Sequence, residues 1–220
     1  MLGGIFVNFV IYLDSASNFK GMLKLIKEHF RRKALKEAIV ERSAKQGSHQ
    51  VFLNFNEISS VGFLYALESE EDFDTLNQIT EEFGRCGIPF KGLVIEGAKL
   101  FKDDTQREEF AQECLDEGLT FIPNTYLNWV GVMAWQESED AGAEIDEFFS
   151  NHFDLFISLN QKQNFTADYL TMRVDADFIA GMHNNPQLPY SLVLEYKEED
   201  FSYSQYITSL FNFLKQVNNK

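Results

Sequence analysis

The chain is poor in the residues from which chemistry is most easily read: it has two cysteines and four histidines in 220 residues. Cys86 and Cys114 make neither a disulfide framework nor a metal-ligand spacing, so reduced thiols are expected. Cys86, although next to Arg85, reads as a small core residue rather than a reactive thiol. His29, His49, His152 and His183 are scattered and show none of the short helical spacings of a zinc site such as His-Glu-x-x-His. An Asp-x-Asp-x-Asp-Gly loop for calcium is missing too, so no metal is indicated. There is no Gly-x-Ser-x-Gly elbow, no phosphate-cradling Gly-x-x-x-x-Gly-Lys and no dinucleotide Gly-x-Gly-x-x-Gly. On that ground no catalytic residue and no cofactor is expected. No stretch reaches the ~20 apolar residues that span a bilayer. The apolar opening Met1–Leu13 lacks the basic n-region of a signal peptide and reads as a buried strand, which together with the reduced thiols points to the cytoplasm.

What the chain does have is apolar bulk and negative charge. Apolar residues make up 45% and aromatics 15%, with 22 Phe, ample for a packed core. The formal charge is -15, from 34 acidic and 19 basic residues. The basic residues crowd together between Lys20 and Lys45, with Lys20, Lys24, Lys27 and Arg31 in one helical stripe, which reads as a solvated face. Nearly everything downstream is acidic. A polyanion would be repelled by that surface, so nucleic acid is not an expected partner, and neither is a membrane.

Periodicity and breakers suggest an order of elements. Ile5–Leu13 reads as a doubly covered strand, followed by a helix capped at Ser17 or Asn18 that closes at Gly47. Strands are expected at Val51–Phe55, Val61–Leu67 and Phe90–Ile95, with a helix from Glu70 to Phe83 between the last two. This β-α-β-β-α-β order is that of a ferredoxin-like sheet. A polar helix over Asp104–Glu117 and a connector at Ile122-Pro123-Asn124-Thr125 close the first half. The second half reads as strand Trp129–Trp135, helix Asp140–Ser150, strands Phe153–Leu159, Tyr169–Val174 and Leu192–Tyr196, and helix Phe201–Val217. The expected fold is therefore α+β, two tandem ferredoxin-like halves with mainly antiparallel sheets, divided into 1–124 and 125–220. An echo of Val61-Gly62 and Glu68-Ser69-Glu70 in Val130-Gly131 and Glu137-Ser138-Glu139 at constant offset is what a duplication would leave.

Acidic residues follow the apolar strands repeatedly: Glu68, Glu70, Glu71, Asp72 and Asp74, then Glu137, Glu139 and Asp140, then Glu195, Glu198, Glu199 and Asp200. Carboxylates at helix starts ordinarily satisfy orphan amides and the helix dipole. Gathered on one rim, they would steer a cationic partner. The function expected from charge is an acidic protein-binding module that inhibits a basic protein, in the manner of immunity or antitoxin proteins. The residues assigned to the partner are Glu68, Glu70, Glu71, Asp72, Glu137, Glu139, Asp140, Glu198, Glu199 and Asp200. Two alternatives stand beside it: an enzyme pairing Glu68 with Glu137, and a small-molecule sensor using Trp129 and Trp135, whose ordinary role is core packing. The basic stripe docking on the acidic half of another copy would give a homo-oligomer.

Overall fold

A computed structural model describes residues 55–97, 99–123, 141–196 and 201–217, with Leu53 and five helical residues between 29 and 40; of 141–144 only the backbone is described. The centre of the sheet is β1 (Val61–Leu67), in which all seven residues are buried. A strand apolar at every position needs cover on both faces, the condition of a parallel sheet. β1 lies between β2 (Phe90–Glu96) and β4 (His152–Ser158), parallel to both. Beyond them lie β3 (Leu119–Ile122), β5 (Asp175–Gly181) and β6 (Leu192–Val193), giving among the described residues one six-stranded sheet in the order β3-β2-β1-β4-β5-β6 with every pairing parallel. Parallel neighbours need crossovers, and helices supply them: α1 (Asp72–Cys86), α2 (Asp104–Asp116), α3 (Ala141–Ser150) and α4 (Phe165–Thr171), with α5 (Tyr203–Val217) after β6.

Alternate residues of β1 enter different cores. Phe63, Tyr65 and Leu67 pack with Leu76, Ile79 and Phe83 of α1 and with Leu210, Phe211 and Leu214 of α5. Leu64 and Ala66 pack with Ile145 and Phe148 of α3 and with Ala167 and Leu170 of α4. Helices on both faces of a parallel sheet make this an α/β, doubly wound, Rossmann-like fold. Among the described residues, no helix is long and apolar enough to cross a membrane.

The expected ferredoxin-like halves, and the α+β class with them, are overturned by this single all-parallel sheet. The strands at 61–67 and 90–96 and the helix between them are present, but among the described residues every strand that pairs with them runs parallel. Of the expected strand Val51–Phe55, Leu53 is irregular and Phe55 opens a 3-10 turn, while Ile5–Leu13 and Trp129–Trp135 lie outside the described residues. The helix over Asp104–Asp116 is the crossover to β3, a strand not expected from the sequence, whose last residue, Ile122, is the first of the expected connector. Tyr169–Val174, expected as a strand, begins inside α4, because Asn164 caps that helix by accepting the amides of Thr166 and Ala167. The strand falls one step later, at β5. The sheet takes strands from both sides of residue 124.

Gly92 shows how tightly β2 is packed. A Cβ there would lie 2.4 Å from the ring tip of Phe63 and 2.5 Å from a methyl of Leu119. Phe63 cannot yield freely, being stacked on Phe83 at 5.1 Å between ring centroids. Gly92→Ala is expected to destabilise the protein by about 1–3 kcal/mol through overpacking, measured by urea unfolding; a neutral result would show that Phe63 repacks without penalty.

Candidate functional site

Open α/β sheets hold their ligands outside the carboxyl ends of the strands, near the point where strand order reverses. Here that point lies between β1 and β4. The β1 side is closed by its own side chains. Asp72 Oδ2 accepts the backbone amides of Glu68 at 2.8 Å and Ser69 at 2.7 Å, and Oδ1 accepts the Tyr65 hydroxyl at 2.7 Å. Glu68 accepts the Asn164 side-chain amide at 2.9 Å, tying the loop after β1 to the loop after β4. A phosphate at this turn would meet carboxylates in place of free amides, so the anion cradle of dinucleotide-binding folds is not formed here.

The loops after β4 and β5 are different. Asp168, on α4, is fully buried. Its Oδ2 accepts the Asn185 side-chain amide at 3.0 Å, and its Oδ1 lies 3.3 Å from His183 Nε2. These last two atoms are not aligned as a hydrogen bond, so the contact is an ion pair rather than a directed bond. The other ring nitrogen, Nδ1, lies 3.0 Å from the backbone carbonyl of Asn160, which has only an acceptor to offer. With Nδ1 carrying a proton, a bare Nε2 would present its lone pair to a carboxylate, so the arrangement calls for imidazolium. The Asp168 contact, joined by the Asn160 carbonyl, raises the His183 pKa above its ordinary value against the lowering effect of burial. Both nitrogens are held by protein groups, which leaves no lone pair for proton abstraction from a bound molecule.

His183 is also one wall of a cleft of about 270 Å³, lined in addition by Gln161, Met182, Asn184, Glu195, Tyr196 and Phe201. Tyr196 is steadied by donating its hydroxyl to Ser209 Oγ at 2.8 Å and meets Phe201 edge to face at 6.0 Å. Gly181, the last residue of β5, lets the Tyr190 ring lie against the backbone, for a Cβ would fall 2.4 Å from that ring. Tyr206 on α5 donates to the Gly181 carbonyl at 3.1 Å, fixing the floor beside the cleft.

Of the residues expected to meet a partner, Glu68, Glu70 and Glu71 are exposed and Asp72 is half-buried, all at the carboxyl end of β1. Asp72 serves the local backbone, and Glu68 bonds Asn164. Glu137, Glu139, Asp140, Glu198, Glu199 and Asp200 lie outside the described residues, as do Trp129 and Trp135. The thiols take no part in the site. Burial pushes Cys114 up to about 12 and raises Cys86 as well, so both stay protonated near neutrality. Sequence reasoning missed Asn160, Asp168, His183 and Asn185; the one signal was polar residues directly after fully apolar strands, as in Ser158-Leu159-Asn160.

Residues 127–217 match a family model described as "Family of unknown function (DUF6913)", less than half of the chain. Every residue lining the cleft, and the Asp168–His183 pair behind it, falls inside that segment. Neither a curated protein nor a solved structure matches the chain.

Proposed function

We propose that the chain is a binding protein for a small organic cation, taken up in the cleft at the carboxyl ends of β4, β5 and β6. The observation that carries this is the make-up of the cleft lining, which includes Glu195, Tyr196 and Phe201, with His183 paired to Asp168. Aromatic faces attract a cation by about 0.5–2 kcal/mol, depending on how far it is desolvated. A carboxylate adds charge complementarity, and the cleft is of a size for a small molecule rather than a peptide. The formal charge of -15 favours the same sign of ligand by raising its local concentration.

The test is a thermal-shift and calorimetry panel of primary amines, quaternary ammonium compounds and guanidines, each set against a neutral isostere. Cations are expected to raise the melting temperature and their isosteres to leave it unchanged. Tyr196→Ala is expected to weaken the best cation about tenfold, equivalent to ~1.4 kcal/mol. Equal binding of cations and neutral isosteres would end the proposal.

A second reading, inhibition of a basic protein, is supported by the exposed Glu70 and Glu71 at the head of α1. Retention of a basic protein that is lost on Glu70→Gln and Glu71→Gln substitution is its test. The free thiols of Cys86 and Cys114 support a cytoplasmic setting for either.

A further inference from the structure

We infer that the opposite, amino-terminal edge of the sheet carries a site for a divalent zinc-type ion, with His152, Asp154 and Asp177 as ligands and Asp175 as the residue that orients the histidine. This stands apart from the cleft and does not depend on it. β4 and β5 start side by side, and their parallel register sets His152 opposite Asp175. The two-residue period of a strand then puts Asp154 on the face of His152, and Asp177 on the face of Asp175. One potential ligand atom from each of His152, Asp154 and Asp177 lies within 4.8 Å of the others.

The second contacts of these residues give the cluster an order that surface charges alone do not have. His152 Nδ1 lies 3.2 Å from Asp175 Oδ2, and Nε2 lies 3.4 Å from Asp177 Oδ1. Without an ion, the ring protonated at both nitrogens pairs with both carboxylates. With the Nδ1 proton donated to Asp175, Nε2 is the nitrogen that a metal would take, beside the Asp177 carboxylate. That is the carboxylate–histidine–metal arrangement, in which the outer carboxylate fixes the tautomer of the ligating ring. Asp154 is held from outside the cluster. Its Oδ2 accepts the amides of Ser59 and Ser60 at 2.7 and 2.9 Å and their hydroxyls at 2.8 and 3.2 Å. The carboxylate is thereby fixed before any ion arrives, with Oδ1 left for coordination.

The donor set selects the ion. One imidazole nitrogen with two carboxylates suits zinc and its neighbours, whereas calcium and magnesium take oxygen ligands only. Three protein ligands leave a fourth position for water or for a group from a partner.

Calorimetry of the full chain with zinc chloride, after chelator treatment and desalting, tests this. One ion per chain is expected, undisturbed by excess magnesium. His152→Ala is expected to weaken zinc at least tenfold and Asp175→Asn about 10–100-fold through loss of the orienting bond. Cys86→Ser is expected to change nothing. All four side chains of the cluster are at least partly exposed, and melting curves of the variants check that each folds. Absence of binding, or binding that survives His152→Ala, would overturn the site. Binding unaffected by Asp175→Asn would overturn the role given to that residue.

Discussion

Asp168→Ala is expected to lower the stability of the protein by about 3–5 kcal/mol, because it leaves one member of a buried ion pair without its partner. The loss falls on more than one group. His183 loses its counter-charge, and the Asn185 amide loses the acceptor 3.0 Å away. Three connections meet at this carboxylate: the loop after β4 through the Asn160 carbonyl, α4 through Asp168 itself, and the loop after β5 through His183 and Asn185. Asp168→Asn keeps an acceptor for Asn185 but no charge for His183, and is expected to cost less. The pair also fixes the sign of a pH effect. The folded-state pKa of His183 lies above 6.5, so its stabilisation is complete below that pH. It is lost as the pH rises through the folded-state value. Urea unfolding across neutral and mildly alkaline pH is expected to show the wild type losing stability over this window, with Asp168→Asn showing a smaller slope. Parallel curves for the two proteins would mean that His183 is neutral in the folded state and that Asp168 does not hold it.

The same pair shows why the sequence yields the sheet more readily than the site. A strand buried at all seven positions, as β1 is, announces itself by composition, and α1 by the recurrence of Leu76, Ile79 and Phe83. Pairing direction is a different matter. The residues of Val61–Leu67 do not name the strands beside it, and the order of elements in the first hundred residues pointed to antiparallel ones. The continuous apolar run was itself the evidence for parallel pairing, since an antiparallel sheet with one wet face alternates. β5 escaped because it opens Asp175-Ala176-Asp177, polar on one face where the strand emerges at the surface. The acidic clusters were legible as charge, but charge does not reveal its work: Asp72 binds the amides of its own turn. Asn160, Asp168, His183 and Glu195 come one at a time from separate connections and share no spacing that a motif could record. His152-x-Asp154 and Asp175-x-Asp177 do share one, the two-residue period, and only the strand register was needed to bring them together.

Arg107→Met is expected to be as damaging as the loss of Asp168, costing about 3–5 kcal/mol, although Arg107 lies at the other side of the switch point. Glu96, the last residue of β2, is fully buried. Its Oε2 accepts from Arg107 Nε at 3.2 Å and its Oε1 accepts the Leu100 amide at 3.3 Å. Arg107 is itself nearly buried, reaches Asp104 with Nη1, and lies 5.9 Å from the centre of the Phe101 ring. Methionine keeps much of the stem that packs there and removes the charge and the guanidinium donors, so the expected loss comes from a buried carboxylate deprived of its Arg107 contact. Glu96→Gln combined with Arg107→Met is therefore expected to recover most of the stability, because the pair contributes little by itself and its breakage contributes much. Urea unfolding of the two single variants and the double variant forms a thermodynamic cycle that separates these terms. A double variant as unstable as the sum of the singles would show that the residues act independently. The consequence reaches the carboxyl edge, since Gly97, next in the chain, donates its amide to the Leu67 carbonyl at 2.8 Å and packs under Glu68. Loss of the Arg107 contact to Glu96 is expected to loosen the turn after β1, and with it the Glu68–Asn164 contact that joins the two halves of the sheet across the switch point.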